Sequence, residues 1–247
     1  MKTNTTKHWL LLMAFLAAGA CADTADDSDA MDDTAPAAGE TAADPMGEMS
    51  DDPDIAPEGE STGLPAGYAL RLDRADGSAA DYQVMAMDGG MHVQTGPAGI
   101  LYDETDTVES GDYSVSASFT EIGAPPNHRE AFGLFIGGSD LQGENQAYTY
   151  FLVRADGRYI IKQRAGGETS DVSDGGWVDS DAVNAAAEGG DVTNELAIEV
   201  RGDQVHFSIN GTEVATVPAS EIDAHGIAGV RINHNLNVQV DGFEISS

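Results

Sequence analysis

Twenty-four residues near the C-terminus, NELAIEVRGDQVHFSINGTEVATV from Asn194 to Val217, leave the backbone little choice. Apolar residues recur at every second position. Two dipeptides, Gly202-Asp203 and Asn210-Gly211, interrupt them where a chain can reverse most sharply. Alternation of period two is the signature of a strand, and two-residue turns of this composition supply the positive φ that a tight hairpin needs. The pattern predicts three antiparallel strands, with Val200 opposite Val205, Ile198 opposite Phe207, and Phe207 opposite Val214. Leu196, Ile198, Val200, Val205, Phe207 and Ile209 then share one face, and Glu199, His206 and Ser208 the other. One side of such a sheet meets a core and the other meets water.

The same logic extends through the domain. Gly111-Asp112 opens YSVSASF, where Val115, Ala117 and Phe119 alternate with serines. Asp156-Gly157, between YTYFLVR and YIIKQR, predicts another two-residue turn. In that register Arg154 faces Tyr159, Leu152 faces Ile161, and Phe151 faces Lys162. The last strand, LNVQVDGFEIS, changes its apolar phase between Val240 and Phe243, which predicts a bulge at Asp241-Gly242. The Ala-rich stretch Asp181 to Glu188 is expected to make one or two helical turns at most. Many short antiparallel strands predict an all-β fold, a two-sheet antiparallel jelly-roll sandwich.

The series GPAGILY, GDYSVSASF, AFGLFIGG and YFLVRADGRYIIKQR resembles a concanavalin A-like jelly roll, and GIAGVRINH and VQVDGFEIS continue the match. The arrangement is similar to laminin G-like domains and to the 3-keto-disaccharide hydrolase-type domain of secreted bacterial proteins. It covers the chain from about Tyr82 onward. The resemblance implies a fold and leaves the activity open, because one fold hosts many sites.

Ahead of this domain, Lys2 and Lys7 precede an apolar run from Trp9 to Ala18 and small residues before Cys21, the only cysteine. Residues 1–20 read as a secretory signal, too short to span a bilayer. LAAGAC resembles a bacterial lipobox, with Ala18 in place of the more usual Leu. The resemblance implies lipid on Cys21, a membrane partner through that lipid, and, from Ala22 beside it, sorting to the outer membrane. Each buried CH₂ adds about 0.8 kcal/mol, so several acyl chains on one residue anchor stably. An ordinary signal peptide followed by a stray cysteine is the alternative. Residues 21–63 carry no Lys or Arg and hardly a large apolar side chain, so no core can form and an acidic disordered tether is expected. Residues 64–247 are the jelly-roll domain.

Fourteen of the 43 acidic residues lie in the tether, leaving 29 against nine of the eleven Lys and Arg. Such a domain repels nucleic acid and anionic membrane surfaces, and its balance is familiar from proteins adapted to high salt. Acid clusters are therefore expected by chance. In YDETDTVES, Glu104, Asp106 and Glu109 spell E-x-D-x-x-E, which resembles the catalytic strand of laminarinase-type glycoside hydrolases. Alternate residues of a strand share a face, so such a triplet could line a cleft, the last acid needing a bulge. Against this, Thr105 and Thr107 stand where that family places core-anchoring apolar residues, and the stretch aligns with a loop between two strands. Asp103, Glu104 and Asp106 also offer hard oxygen ligands to calcium. The resemblance to laminarinase-like jelly rolls makes Asp241, in VDGFEI, a candidate ligand of a structural calcium.

Arg154, Arg158, Lys162 and Arg164, four of the nine domain cations, fall within eleven residues. In the D-G register Lys162 and Arg164 share a face with Phe151 and Thr149, an aromatic beside two cations that suits an acidic sugar. The rival reading has these cations balancing neighbouring acids. The loop SDLQGENQAY and the run Asn233-His234-Asn235 add amides for sugar hydroxyls, and Trp177 is either a stacking platform or a core plug. Arg201-Gly202-Asp203 and Asn210-Gly211-Thr212 are explained by their turns. No G-x-S-x-G, P-loop, H-E-x-x-H or paired cysteine occurs, and the histidines lack metal-ligand spacing. Three readings remain open: a non-catalytic binder of a glycan or other extracellular ligand, a sugar-active hydrolase, and an envelope protein making protein contacts only.

Overall fold

The computed structural model describes residues 63–74 and 77–247. The signal segment, Cys21 and the tether up to Thr62 lie outside the described residues. Two antiparallel sheets pack face to face. Sheet A runs β1 (Tyr68–Leu72), β4 (Gly99–Val108), β14 (Gly226–Ile232), β6 (Ala131–Ser139), β7 (Ala147–Arg154), β8 (Arg158–Ala165) and β10 (Val178–Asp179), with β9 (Glu168–Asp171) also paired to β8. Sheet B runs β13 (Thr212–Pro218), β12 (Gln204–Ile209), β11 (Gly190–Arg201), β5 (Tyr113–Ala124), β15 (Asn237–Ser246), β3 (Gly90–Thr95) and β2 (Tyr82–Met87). This is the jelly-roll sandwich expected.

The core lies between the sheets. The inward phase of β11 and β12, from Leu196 through Ile209, is sealed from water as the alternation requires. Phe207 meets Phe151 of sheet A edge to face at 5.3 Å between ring centroids, a favoured aromatic geometry. The Tyr159 hydroxyl donates to the Val214 carbonyl at 3.0 Å and ties the sheets at one edge.

The Gly202-Asp203 turn holds its register, with Val200 opposite Val205 and Ile198 opposite Phe207. At Asn210-Gly211 the turn is as expected, but a bulge at Val214, opposite the step from Phe207 to Ser208, moves Phe207 from Val214 to Ala215. The bulge at Asp241-Gly242 is present, with Asp241 opposite Ser118 and Glu244 opposite Ser116. No helix forms over Asp181 to Glu188. There Val183 and Ala186 are buried, and Asn184 exchanges hydrogen bonds with Asn194, at 2.8 Å from its N–H and 3.0 Å to its carbonyl.

The expected Asp156-Gly157 register is wrong by one residue. Arg154 pairs with Arg158, Leu152 with Ile160, Phe151 with Ile161, and Tyr150 with Lys162. The loop has three residues, because buried Ala155 joins the turn and Gly157, at φ 88°, closes it with its N–H on the Arg154 carbonyl. Since side chains alternate, this slip exchanges the faces of the strand.

Candidate binding face

The exchange of faces places Phe151 in the sealed core, so it is not a ligand platform, and Thr149 is equally buried. Lys162 and Arg164 stand instead beside Tyr150 and Tyr148 on the outer face of sheet A. That face carries a second apolar layer: Ile100, Tyr102, Phe135, Tyr148, Tyr150, Leu152 and Ile160 pack together on the side away from the main core. Tyr102 and Phe135 meet edge to face at 6.3 Å across β14 because the residue between them is Gly229. A Cβ there would lie 2.7 Å from the Phe135 ring and 2.4 Å from the Leu101 carbonyl oxygen.

Over this layer lie arginines. The register puts Arg71, Arg154, Arg158, Lys162, Arg164 and Arg231 on the outer phase, six of the nine domain cations. Arg231 grips Asp73 with both terminal nitrogens, and its Nη1 also donates to the Tyr148 hydroxyl at 3.1 Å. Its guanidinium lies 5.0 Å from the centre of the Tyr150 ring. Arg164 reaches the same carboxylate from β8 at 3.5 Å. Burial alone would push the Asp73 carboxyl up, but the Arg231 and Arg164 guanidiniums, with His234, hold it below the usual range. Arg154 pairs with Asp156 at 2.5 Å, Arg158 with Asp179 at 2.7 Å, and Lys162 with Asp171 at 3.1 Å. Charge balance by neighbouring acids accounts for most of the cluster. Arg158 and Lys162 are the open members, 41% and 25% exposed against partners Asp179 at 78% and Asp171 at 48%, and Lys162 is the one paired across the strands with Tyr150.

The loop after β6 closes over one side of this face. Arg71 donates to the Leu141 and Gly143 carbonyls, both at 3.3 Å, and Gln142 donates to the Tyr102 hydroxyl at 2.7 Å. Its amides thus hold the loop down. Trp177, swung inward by Gly175 and Gly176 at positive φ, is half-buried against the outer apolar layer. The Arg154 guanidinium sits 4.1 Å from its ring centre, so one face of the indole is taken by a cation. Asn233 anchors to the Ala131 carbonyl through its backbone N–H, and its Oδ1 is buried without a partner. Asn235 is exposed at the following turn, with φ at 52°.

The acidic stretch departs from the expected loop. β4 continues to Val108, and residues 103–106 swell out opposite the single Ala228. Asp103 turns back to accept from the Thr105 backbone N–H and hydroxyl at 2.8 and 2.7 Å, which lowers its pKa. Desolvation and Asp103 raise that of Asp106. Glu104 is exposed on the swelling, and Glu109 lies beyond the strand end, also exposed. Asp241, at its bulge, accepts from the Gln239 amide at 2.9 Å. Among the described residues no three His, Cys, Asp or Glu gather as a metal site.

Sequence reasoning missed a groove on the other sheet. Gly63, Gln83, Val84, Met85, His92 and Gln94 enclose about 300 Å³ on the outer face of β2 and β3. The alternation in YQVMAM and GMHVQT was its signal, since Gln83, Met85, His92 and Gln94 all fall on the outward phase.

No protein-family model and no curated protein matches this chain. Among solved structures it is similar to the carbohydrate binding module CBM66 from Bacillus subtilis, at 11% identity and a TM-score of 0.53, over 77% of this chain and 100% of that one. A Bacillus subtilis protein of unknown function with a galectin-like fold aligns at 12% identity and a TM-score of 0.48, over 78% and 98% of the two chains. An alginate lyase, A1-II′, aligns at 14% identity and a TM-score of 0.48, over 73% and 94%. At these identities the likeness is one of fold.

Proposed function

We propose that this chain is a lipid-anchored protein of the bacterial outer membrane whose jelly roll binds an acidic extracellular glycan without chemistry. The observation that carries the reading is the gathering of six of nine domain cations over an aromatic layer on one face of sheet A. In a chain so acidic, cations spread at random would not collect there. Lys162 is the group that exchanges its exposed partner for a sugar carboxylate or sulfate, a charge-assisted contact. Arg164 adds field from beside it, and the free side of Trp177 offers an apolar surface to a sugar ring. Asn235, exposed at the turn after β14, adds an amide. The signal, Cys21 and the acidic tether support display away from a membrane, and the sugar-binding neighbour of similar fold is consistent with this use. The scattered, exposed placement of Glu104 and Glu109 favours binding over hydrolysis.

The test is an array of acidic and neutral oligosaccharides probed with the full chain carrying Cys21→Ser. Acidic glycans are expected to bind, and Lys162→Ala to weaken them roughly tenfold, the worth of one contact to a charged group. Release of reducing ends, abolished by Glu104→Gln or Glu109→Gln, would replace this reading with a hydrolase.

A further inference from the structure

The outer face of sheet B divides into two halves of different chemistry. Along β11, β12 and β13 the outward positions include Glu195, Glu199, Glu213 and His206. Along β2, β3 and β15 the register aligns three rows: Gln83–Gln94–Asn237, Met85–His92–Gln239, and Met87–Gly90–Asp241. Of these nine outward positions, only Asp241 carries a carboxylate and none a Lys or Arg. β5 continues the pattern with Ser114, Ser116, Ser118 and Thr120. Apart from Asp241 and the exposed Glu244 opposite Ser116 further along β15, these rows are free of carboxylates, a local exception in a domain with 29 of them.

A second observation falls on the same spot. Among the described residues the exposed large hydrophobic side chains are Met85, at 62%, and Met87, at 36%. Both lie in these rows, and Met85 borders the groove of about 300 Å³ with Gln83, His92 and Gln94. His92 is held within it by a hydrogen bond between its Nε2 and the Asn237 Oδ1.

We infer that this groove is a second binding site, separate from the face of sheet A, and that its ligand is a neutral saccharide. A cationic ligand would be drawn to the acidic half of the sheet, where carboxylates abound. An anionic ligand finds no cation here to offset the field of the whole domain. What the groove offers is hydrogen bonding without charge. Side-chain amides stand on adjacent strands about 4.8 Å apart, each with two donors and an acceptor, matched to neighbouring sugar hydroxyls. The thioether of Met85 is polarisable and conforms to the C–H face of a ring. The volume sits at the small end of ligand pockets, roughly 300–1,000 Å³, and suits a short saccharide or a chain end.

The experiment uses the full chain carrying Cys21→Ser with neutral hexose and pentose oligosaccharides, and the same chain further substituted Gln94→Ala, Met85→Ala or Lys162→Ala. Expected is neutral-sugar binding that falls roughly tenfold in Gln94→Ala and in Met85→Ala, persists in Lys162→Ala, and is unchanged by salt, as contacts without charge require. Both methionine and glutamine are surface residues, so circular dichroism and the melting temperature should match the parent. Neutral binding lost in Lys162→Ala but kept in Gln94→Ala would place those sugars on sheet A and overturn the second site. Acidic glycans bound and every neutral one refused would overturn it while leaving the acidic-glycan reading standing. Silence across both classes would overturn both.

Discussion

Glu121 shows what one buried side chain can impose. It lies on the inward phase of β5, 2% exposed, with Oε1 2.5 Å from His128 Nδ1 and Oε2 without a partner. Desolvation raises its pKa most; the His128 hydrogen bond and charge oppose this, and Glu130 adds to it. A carboxyl whose folded pKa is raised contributes stability that is complete below the unfolded value, about 4.3, and is lost as pH climbs through the folded one. Glu121→Gln keeps an amide oxygen for His128 and removes that loss. Thermal melts should therefore find the variant more stable than the parent at neutral pH, with the gap closing as pH falls towards 4. Gly229 is a steric counterpart. Its Cβ would strike both the Phe135 ring and a backbone carbonyl oxygen, so Gly229→Ala should cost about 1–3 kcal/mol, read from denaturant midpoints. Neither effect is legible in the sequence. The alternation through Val115, Ala117 and Phe119 extends to Glu121, but its sealing against His128 is visible only in the folded chain, and the room that Gly229 leaves only from the strands on either side.

At the scale of elements, turn chemistry was legible and turn length was not. Gly202-Asp203 and Asn210-Gly211 behaved as two-residue turns, whereas Ala155 joined Asp156-Gly157 in a loop of three. The reason is burial: Ala155 is sealed under Ala186, whose backbone N–H bonds its carbonyl at 2.8 Å, so it cannot serve as a paired strand residue. The slip decides which side of β8 meets the core. Deleting Ala155 would join Arg154 to Arg158 through a two-residue Asp156-Gly157 turn with the same pairing, so Lys162 and Arg164 should stay on the outer face and an NMR spectrum should keep its dispersed amide resonances. Loss of that dispersion would show that buried Ala155 itself is needed to hold the hairpin. The bulge at Asp241-Gly242 was readable because the apolar phase of one strand shifts where an extra residue intrudes. The smaller bulge beside Ser208 left no such mark, since both Val214 and Ala215 are apolar.

For the molecule as a whole, charge is the dominant property. With 29 acids against nine cations in the domain, self-repulsion opposes the compact state. Adding salt shortens the screening length from about 10 Å at 0.1 M to about 3 Å at 1 M, so the melting temperature should rise across that range. A scanning-calorimetry series in sodium chloride measures it, and a fall would mean that the ion pairs over sheet A outweigh the repulsion. The same series separates the two faces. Ligands held by Lys162 should weaken as salt rises, and ligands held by the amides of β2, β3 and β15 should not.

Period-two alternation and the glycine-bearing turns determined the class of fold by themselves, because each is a local property of backbone and side chain. The signal-like N-terminus, the lone Cys21 and the acidic composition are equally local. Tertiary structure alone decided which face each strand presents, that Phe151 belongs to the core, that cations from strands far apart in sequence meet on Asp73, and that an uncharged groove opens beside Met85. Those outcomes depend on register and on the neighbours brought by long-range pairing, and a single strand's sequence carries no record of either.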